Sequence, residues 1–257
     1  MVELIRGSAS RRYFLANEGR SVISVARDSE DGRLDTKLSE FWSELIDQNL
    51  DSFYTSTCGT DNSEMDTEFQ SEHYLGRCTL MLATQMLPVV GITWAYLTGN
   101  ILREYQSGKR TIGGVDLPDG MLPQERLPEP IFTPAVFSDD RYKLLSIKEM
   151  SELIDNGKYA GRAHPVTVSI DVKRNSLDVF RYCSNYAKRY GIIIAGARFH
   201  YGVTYNYHAA TDGRFPLYLE DELITPESSK LWASCQYAVG CHIPILQTRQ
   251  VCSMLGL

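Results

Sequence analysis

Little in this sequence points to a membrane, a secretion route or a nucleic-acid partner. A helix that spans a membrane needs about 20 predominantly apolar residues. The longest apolar stretch, Thr79 to Gly99, is broken by Gln85, Pro88 and Thr93. The opening run Met1-Val2-Glu3-Leu4-Ile5-Arg6 lacks a basic segment followed by a long apolar one, so no secretory leader is expected. Basic residues are not in excess: 26 Lys and Arg stand against 32 Asp and Glu, a formal charge of −6. That balance argues against general nucleic-acid binding, which relies on neutralising phosphates. The six cysteines (Cys58, Cys78, Cys183, Cys235, Cys241 and Cys252) have irregular spacing, so they read as reduced thiols of a cytoplasmic protein. Cys235 with Cys241-His242 lacks the second paired cluster that would complete a zinc ligand set, and packing is the better reading of them.

What is present is ordinary globular material: 257 residues, 43% hydrophobic and 23% charged. Such a chain buries a core without staples and fits one large domain or two lobes. Polar and apolar residues alternate over 2–6 and 20–27, the strand period. Leu38, Phe41, Trp42, Leu45 and Ile46 lie on one helical face between Lys37 and Leu50. Residues 55–72 read as a loop or linker, and apolar strands are expected near 77–84 and 88–96. Residues 106–136 are rich in Gly and Pro and read as a long ordered loop. Ser146 and Glu149 form a capping-box pattern, with Gly157 as the stop, and Ser176 reads as the cap of a second helix ending at Gly191. Strands are expected at 191–195, 199–203 and 214–223. Strands plus segregated helices make an α+β pattern.

Three stretches carry more than composition: Ala95-Tyr96-Leu97-Thr98-Gly99-Asn100, followed by Arg103-Glu104-Tyr105; Leu127-Pro128-Glu129-Pro130-Ile131-Phe132-Thr133-Pro134; and Glu220-Asp221-Glu222 through Thr225-Pro226 to Ser228-Ser229-Lys230-Leu231-Trp232. Acidic groups at a strand end can hold Mg²⁺ against phosphate oxygens, and hydroxyls with a lysine can hold an anion. On these residues alone, a capped helix start after an exposed strand explains the third stretch as well.

In this order the stretches resemble the SAICAR synthetase family of purine biosynthesis, from about Leu4 to Trp232. The resemblance implies a two-lobed α+β fold, with a small β-rich N-terminal lobe (1–86), a larger α+β lobe (87–257) and ATP in the cleft between them. It implies ATP-dependent amide formation, in which a carboxylate is activated as an acyl phosphate and attacked by an amine. ATP and Mg²⁺ are the implied cofactors. Small-molecule carboxylic acid and amine substrates are the implied partners, with no nucleic acid or membrane, and self-association into a homo-oligomer is left open.

Carried residue by residue, the resemblance places Gly7, Arg11, Arg12 and Met86 at the nucleotide, with Pro88 beside Met86 at the interlobe hinge. Trp94, Thr98, Gly99, Asn100, Ser228, Ser229 and Lys230 fall at the substrate. Asp221, His200 and Arg198 fall at catalytic positions, and Asp221 with His200 at the metal. Several positions depart from the family. Ser8 and Ser10 stand where the nucleotide loop carries lysines. Trp94 replaces an arginine, Asn100 a serine, Lys230 an arginine and His200 a carboxylate. An indole cannot supply the bidentate phosphate grip of a guanidinium, and a histidine suits a softer metal than Mg²⁺. The sequence therefore predicts a ligase with an altered substrate, in a site poorer in cations than the family's. Two alternatives stand beside it: a repurposed enzyme that no longer uses ATP, and a non-catalytic binding protein.

Overall fold

The computed structural model describes residues 4–7, 11–16, 21–50, 54–55, 57–59, 65, 67–138, 141–155, 165–204, 217–220 and 222–257. The chain divides into two compact units. The first comprises Met1–Met86, Gly202–Glu227 and Gln247–Leu257; the second comprises Leu87–Tyr201 and Ser228–Leu246.

In the first unit, β1 (Leu4–Gly7), β2 (Arg11–Ala16), β3 (Ser21–Ala26), β5 (Thr57–Gly59) and β6 (Cys78–Leu82) form an antiparallel sheet in the order β1-β2-β3-β6-β5. β4 (Tyr54–Thr55) lies elsewhere and pairs in parallel with β13 (Tyr218–Leu219). Ile23, Val25, Met65, Phe69, Cys78 and Leu80 form one apolar cluster of this unit. Helix α1 (Glu30–Asn49) starts earlier than its apolar stripe predicts. Ser29 caps it, accepting from Gly32 N at 3.1 Å, and Glu30 and Asp31 meet the positive helix end. Leu38, Trp42 and Ile46 face inward as the periodicity predicts. Helix α5 (Thr248–Leu255) packs against α1, where Thr248 Oγ1 donates to Asp35 at 2.6 Å.

In the second unit the strands are β7 (Thr84–Tyr96), β10 (Arg126–Ser138), β11 (Arg141–Leu144) and β12 (Ile192–Thr204), in the order β11-β10-β7-β12, with β14 (Ser229–Ala233) also pairing β12. The first residues of β7 and the last of β12 belong to the first unit. Helix α2 (Gly99–Gln106) covers one face of β7, where Trp94 and Ile92 join Leu97, Ile101 and Tyr105 in the core. The small hairpin of β8 (Thr111–Ile112) and β9 (Val115–Asp116) joins the same cluster through Ile112 and Val115. On the other face lie α3 (Ile147–Asp155) and α4 (Pro165–Lys188).

Two sequence expectations change here. The Pro-rich run does not end as a loop: residues 126–138 form β10, a 13-residue strand. Proline lacks the N–H that a ladder needs. Pro128 and Pro130 fall in the irregular stretch between the pairs Arg126–Tyr96 and Ile131–Trp94, so no ladder bond is lost there. Ser176 does not begin a helix. It lies inside α4, fully buried, with its hydroxyl 3.0 Å from the Tyr201 hydroxyl. Of the strand expected at 214–223, Tyr218–Leu219 is a strand, and 205–216 lie outside the described residues. No helix of the described residues is long and apolar enough to cross a membrane.

Candidate active site

A bulge in β12 builds the site. Ile194 pairs with Leu231 of β14, yet Gly196 pairs with the adjacent Lys230, so two residues of β12 oppose one of β14. A bulge of this kind turns the following side chains to the other face of the sheet. Past it, Gly196, Arg198 and His200 alternate with the buried Ala197, Phe199 and Tyr201.

Gly196 brings β12 close to Trp94. A Cβ at residue 196 would lie 2.8 Å from Trp94 Cε3. On its other side the indole meets Gly99, which has φ +57° and where a Cβ would lie 2.9 Å from Trp94 Cζ3 and 3.0 Å from Lys230 Cε. Only glycine takes both the left-handed backbone and the close approach without strain. Trp94 is 5% exposed, and its Nε1–H donates to Thr133 Oγ1 at 2.8 Å. It is the floor of the site, with its one polar atom already satisfied.

Above this floor lie three cations. Burial first, then Arg103 and Arg198, hold the Lys230 ammonium below the ordinary lysine value. Arg103 projects from α2 and donates to Asn100 Oδ1. Asn100 Nδ2 in turn donates to the Tyr142 carbonyl at 2.9 Å. The Arg198 guanidinium lies over the Tyr142 ring, 4.9 Å from its centre. The Arg198 amide donates to the Ser228 carbonyl at 2.9 Å, which ties β12 to the Ser228–Ser229 pair. Those two hydroxyls lie 3.4 Å apart and are mostly buried. Thr98 precedes α2 but makes no side-chain hydrogen bond to the helix start, and a helix start favours anions. Hydroxyls, a lysine and two arginines beside a helix start suit a phosphate or carboxylate.

The second unit thus gathers Trp94, Thr98, Gly99, Asn100, Ser228, Ser229 and Lys230, which the sequence grouped at the substrate, and brings in Arg198, which it grouped with Asp221 and His200. It adds Arg103 and Tyr142, which sequence reasoning did not select. Arg103 follows Asn100 by three residues on a helix, a spacing that puts two side chains on one face. Tyr142 comes from β11 and gives no local signal. Arg103, Arg198 and Lys230 give this unit three neighbouring cations, while the loop that holds Ser8 and Ser10 lies outside the described residues. Ser228–Lys230 do not begin a helix: Ser229 opens β14.

His200 lies half-buried on β12, two residues beyond Arg198. In the first unit, Gly7 pairs with Arg12 across β1 and β2, so the expected nucleotide loop joins two paired strands. The loop's residues 8–10 and the Arg11 and Arg12 side chains lie outside the described ones, as does Asp221. Met86 is half-buried near the start of β7. Glu220, just before Asp221, is 2% exposed and accepts from the Thr84 hydroxyl. Beyond it Glu222 and Ile224 both take positive φ, 59° and 52°. Such backbone is costly, above all for a β-branched residue, and gathers at functional turns. Among the described residues no group of three His, Cys, Asp or Glu side chains converges, and Asp221, the carboxylate expected at the metal, lies outside them.

A family model described as SAICAR synthetase matches residues 22–247. A phosphoribosylaminoimidazole-succinocarboxamide synthase of Lachnospira eligens is 29% identical over 218 residues, covering 84% of this chain and 69% of its own. That of Stenotrophomonas maltophilia is 33% identical over 172 residues, covering 66% of this chain and 50% of its own. The chain therefore spans between half and about 70% of the length of these relatives. Among solved structures, SAICAR synthase of Saccharomyces cerevisiae complexed with SAICAR aligns with a TM-score of 0.78 at 24% identity, covering 95% of this chain and 80% of that one. A SAICAR synthetase in complex with ADP aligns at 0.62 and 15% identity, covering 92% of this chain and 87% of that one.

Proposed function

The chain belongs to the SAICAR synthetase family, and on that premise we propose that it is an ATP-dependent ligase joining a phosphate-bearing carboxylic acid to an amine through an acyl phosphate. The observation that carries this reading is the cluster of Arg103, Arg198 and Lys230 around Asn100 and Ser228–Ser229. Gathering like charge beside a half-buried lysine costs stability, and an anion repays that cost on binding.

In this reading Lys230, Arg103 and the two serine hydroxyls hold the phosphate of the acid. Arg198, braced over Tyr142, steadies charge on the carboxylate as it attacks the nucleotide's terminal phosphate. Trp94 shapes the floor and excludes water. ATP and Mg²⁺ enter with the family; bound magnesium would neutralise phosphate charge, and Asp221 and His200 are the positions assigned to it.

The acid keeps its phosphate but is held in an altered way. The fork-shaped ligand at residue 94 is gone, and Arg103 brings a guanidinium in from α2 instead, so the phosphate is gripped from another side. A cytoplasmic biosynthetic role goes with this reading.

The test is coupled ADP release with purified protein, ATP, aspartate and an imidazole carboxylate, offered with and without its ribose phosphate. The product amide is identified by mass. Release that depends on both the acid and the amine, and on the phosphate of the acid, supports the reading. ADP release independent of the acid, or no nucleotide binding by calorimetry with Mg²⁺ or Mn²⁺ present, would sink it.

A further inference from the structure

The opposite face of the same strands carries a second cavity. It has a volume of about 390 Å³ and lies in the second unit, between α4, the ends of β7, β10 and β12, and Ser234 just after β14. Trp94 points into the candidate site; Ala95, the next residue of the strand, lines this cavity from the other face. On β12, Ile192, Ile193 and Ile194 line the cavity before the bulge, and Gly196 meets Trp94 after it. None of the cavity's lining residues belongs to the candidate site.

Its chemistry divides in two. Phe180, Pro130 and the isoleucines make an apolar wall. Arg126, Arg181 and Lys188 supply positive charge, and no Asp or Glu lines the cavity. Arg181 shares its charge with Asp178 at 3.4 Å, outside the lining. Arg126 acts on the Tyr96 phenol, which also lines the cavity, countering part of the rise that burial causes in its pKa. Ser184, on the α4 wall, holds a buried hydroxyl with no hydrogen-bond partner among the described residues. An unpaired buried hydroxyl is uncommon in a folded protein and is a group that a ligand can satisfy after a χ1 rotation. Ligand pockets are generally of this size, mostly apolar with a few placed polar groups.

We propose that this cavity is a second binding site, separate from the candidate active site, for a small molecule with a flat apolar body and one anionic group. The body lies against Phe180 and the isoleucines, and the anion meets Arg126, Arg181 and Lys188.

The test is calorimetric titration of the full chain with naphthalenesulfonate and with neutral naphthalenemethanol. The sulfonate is expected to bind at one saturable site, at least about tenfold tighter than the alcohol, which is the scale of one charge-assisted contact. The double variant Arg126→Ala/Arg181→Ala removes two exposed side chains and should fold normally; it is expected to weaken the sulfonate by at least about tenfold. Ser184→Phe, which fills the cavity, is expected to abolish binding. Lys230→Met is expected to leave it unchanged. The assignment is overturned if there is no saturable binding, if the two probes bind with equal affinity, if the double arginine variant binds like the parent, or if Lys230→Met removes the sulfonate. That last result would move the probe to the candidate active site.

Discussion

Two sites, one in each unit, treat charge in opposite ways. In the first, the buried Asp35 is matched on both oxygens: Thr248 donates to Oδ1 at 2.6 Å and Arg27 to Oδ2 at 3.3 Å. Glu220 accepts from Thr84, and Asp47 accepts from the Thr55 amide and hydroxyl. In the second, Lys230 is surrounded by charge of its own sign, from Arg103 and Arg198. Paired charge holds a fold together, whereas gathered charge keeps affinity for something still to arrive. On this contrast, removing the charge of Asp35 should lower stability, and removing that of Lys230 should lower activity while sparing or raising stability.

The largest stability effect is expected for Asp35→Ala. It strands the buried Thr248 hydroxyl and leaves Arg27 with Glu227, 3.5 Å away, and urea unfolding should show a loss of about 2–3 kcal/mol. Gly99→Ala comes next. It forces a side chain into left-handed backbone and against Trp94, for a cost of about 1–3 kcal/mol and a fall in melting temperature. Lys230→Met breaks the pattern in the predicted direction: melting temperature rises, while kcat/KM for the phosphate-bearing acid falls by at least about tenfold. If instead it unfolds the protein, the lysine is structural.

The pH dependence has a definite sign. A lysine whose folded pKa is lowered destabilises the fold while it is protonated. That deficit fades as pH rises from the folded value to the unfolded one. The stability gain of Lys230→Met should therefore be full at neutral pH and shrink in alkali. Substrate binding by the parent should weaken above the lowered pKa, and Lys230→Arg should carry that decline to higher pH.

The smallest effect is expected at the α3 cap. Bonds from the Ser146 amide and hydroxyl hold the Glu149 carboxyl below its ordinary value. Its contribution is present above the unfolded pKa and lost as pH falls through the folded one. Glu149→Gln should flatten that acid limb slightly and leave the neutral melting temperature nearly unchanged.

Local patterns were legible where the physics is local. The inward face of α1 follows from apolar spacing, and Ser146–Glu149 forms the reciprocal cap that its sequence spells. The grouping of Thr98–Asn100 with Ser228–Lys230 was legible through family resemblance, since no local rule brings residues so far apart together. What was not legible depends on neighbours. β10 carries Pro128 and Pro130 where an irregular register with β7 leaves them without a ladder partner, which composition cannot reveal. Ser176 reads as a cap, but tertiary packing gives it Tyr201 as a partner. Trp94 reads as a substrate residue in place of an arginine, and two glycines let it sink into the core. The substitutions at Ser8, Ser10 and Trp94 read as a loss of cations, and they carry no signal of how Arg103, Arg198 and Lys230 come together.

The central claim is that Arg103, Arg198 and Lys230 form a seat for the phosphate of the acid. The most direct measurement is calorimetric titration of the parent and of Lys230→Met with an imidazole carboxylate ribotide and with its phosphate-free riboside. The account predicts that the parent binds the ribotide at least about a hundredfold tighter than the riboside, and that Lys230→Met loses most of that preference. Equal affinity of the parent for the two compounds, or a preference untouched by Lys230→Met, would contradict it.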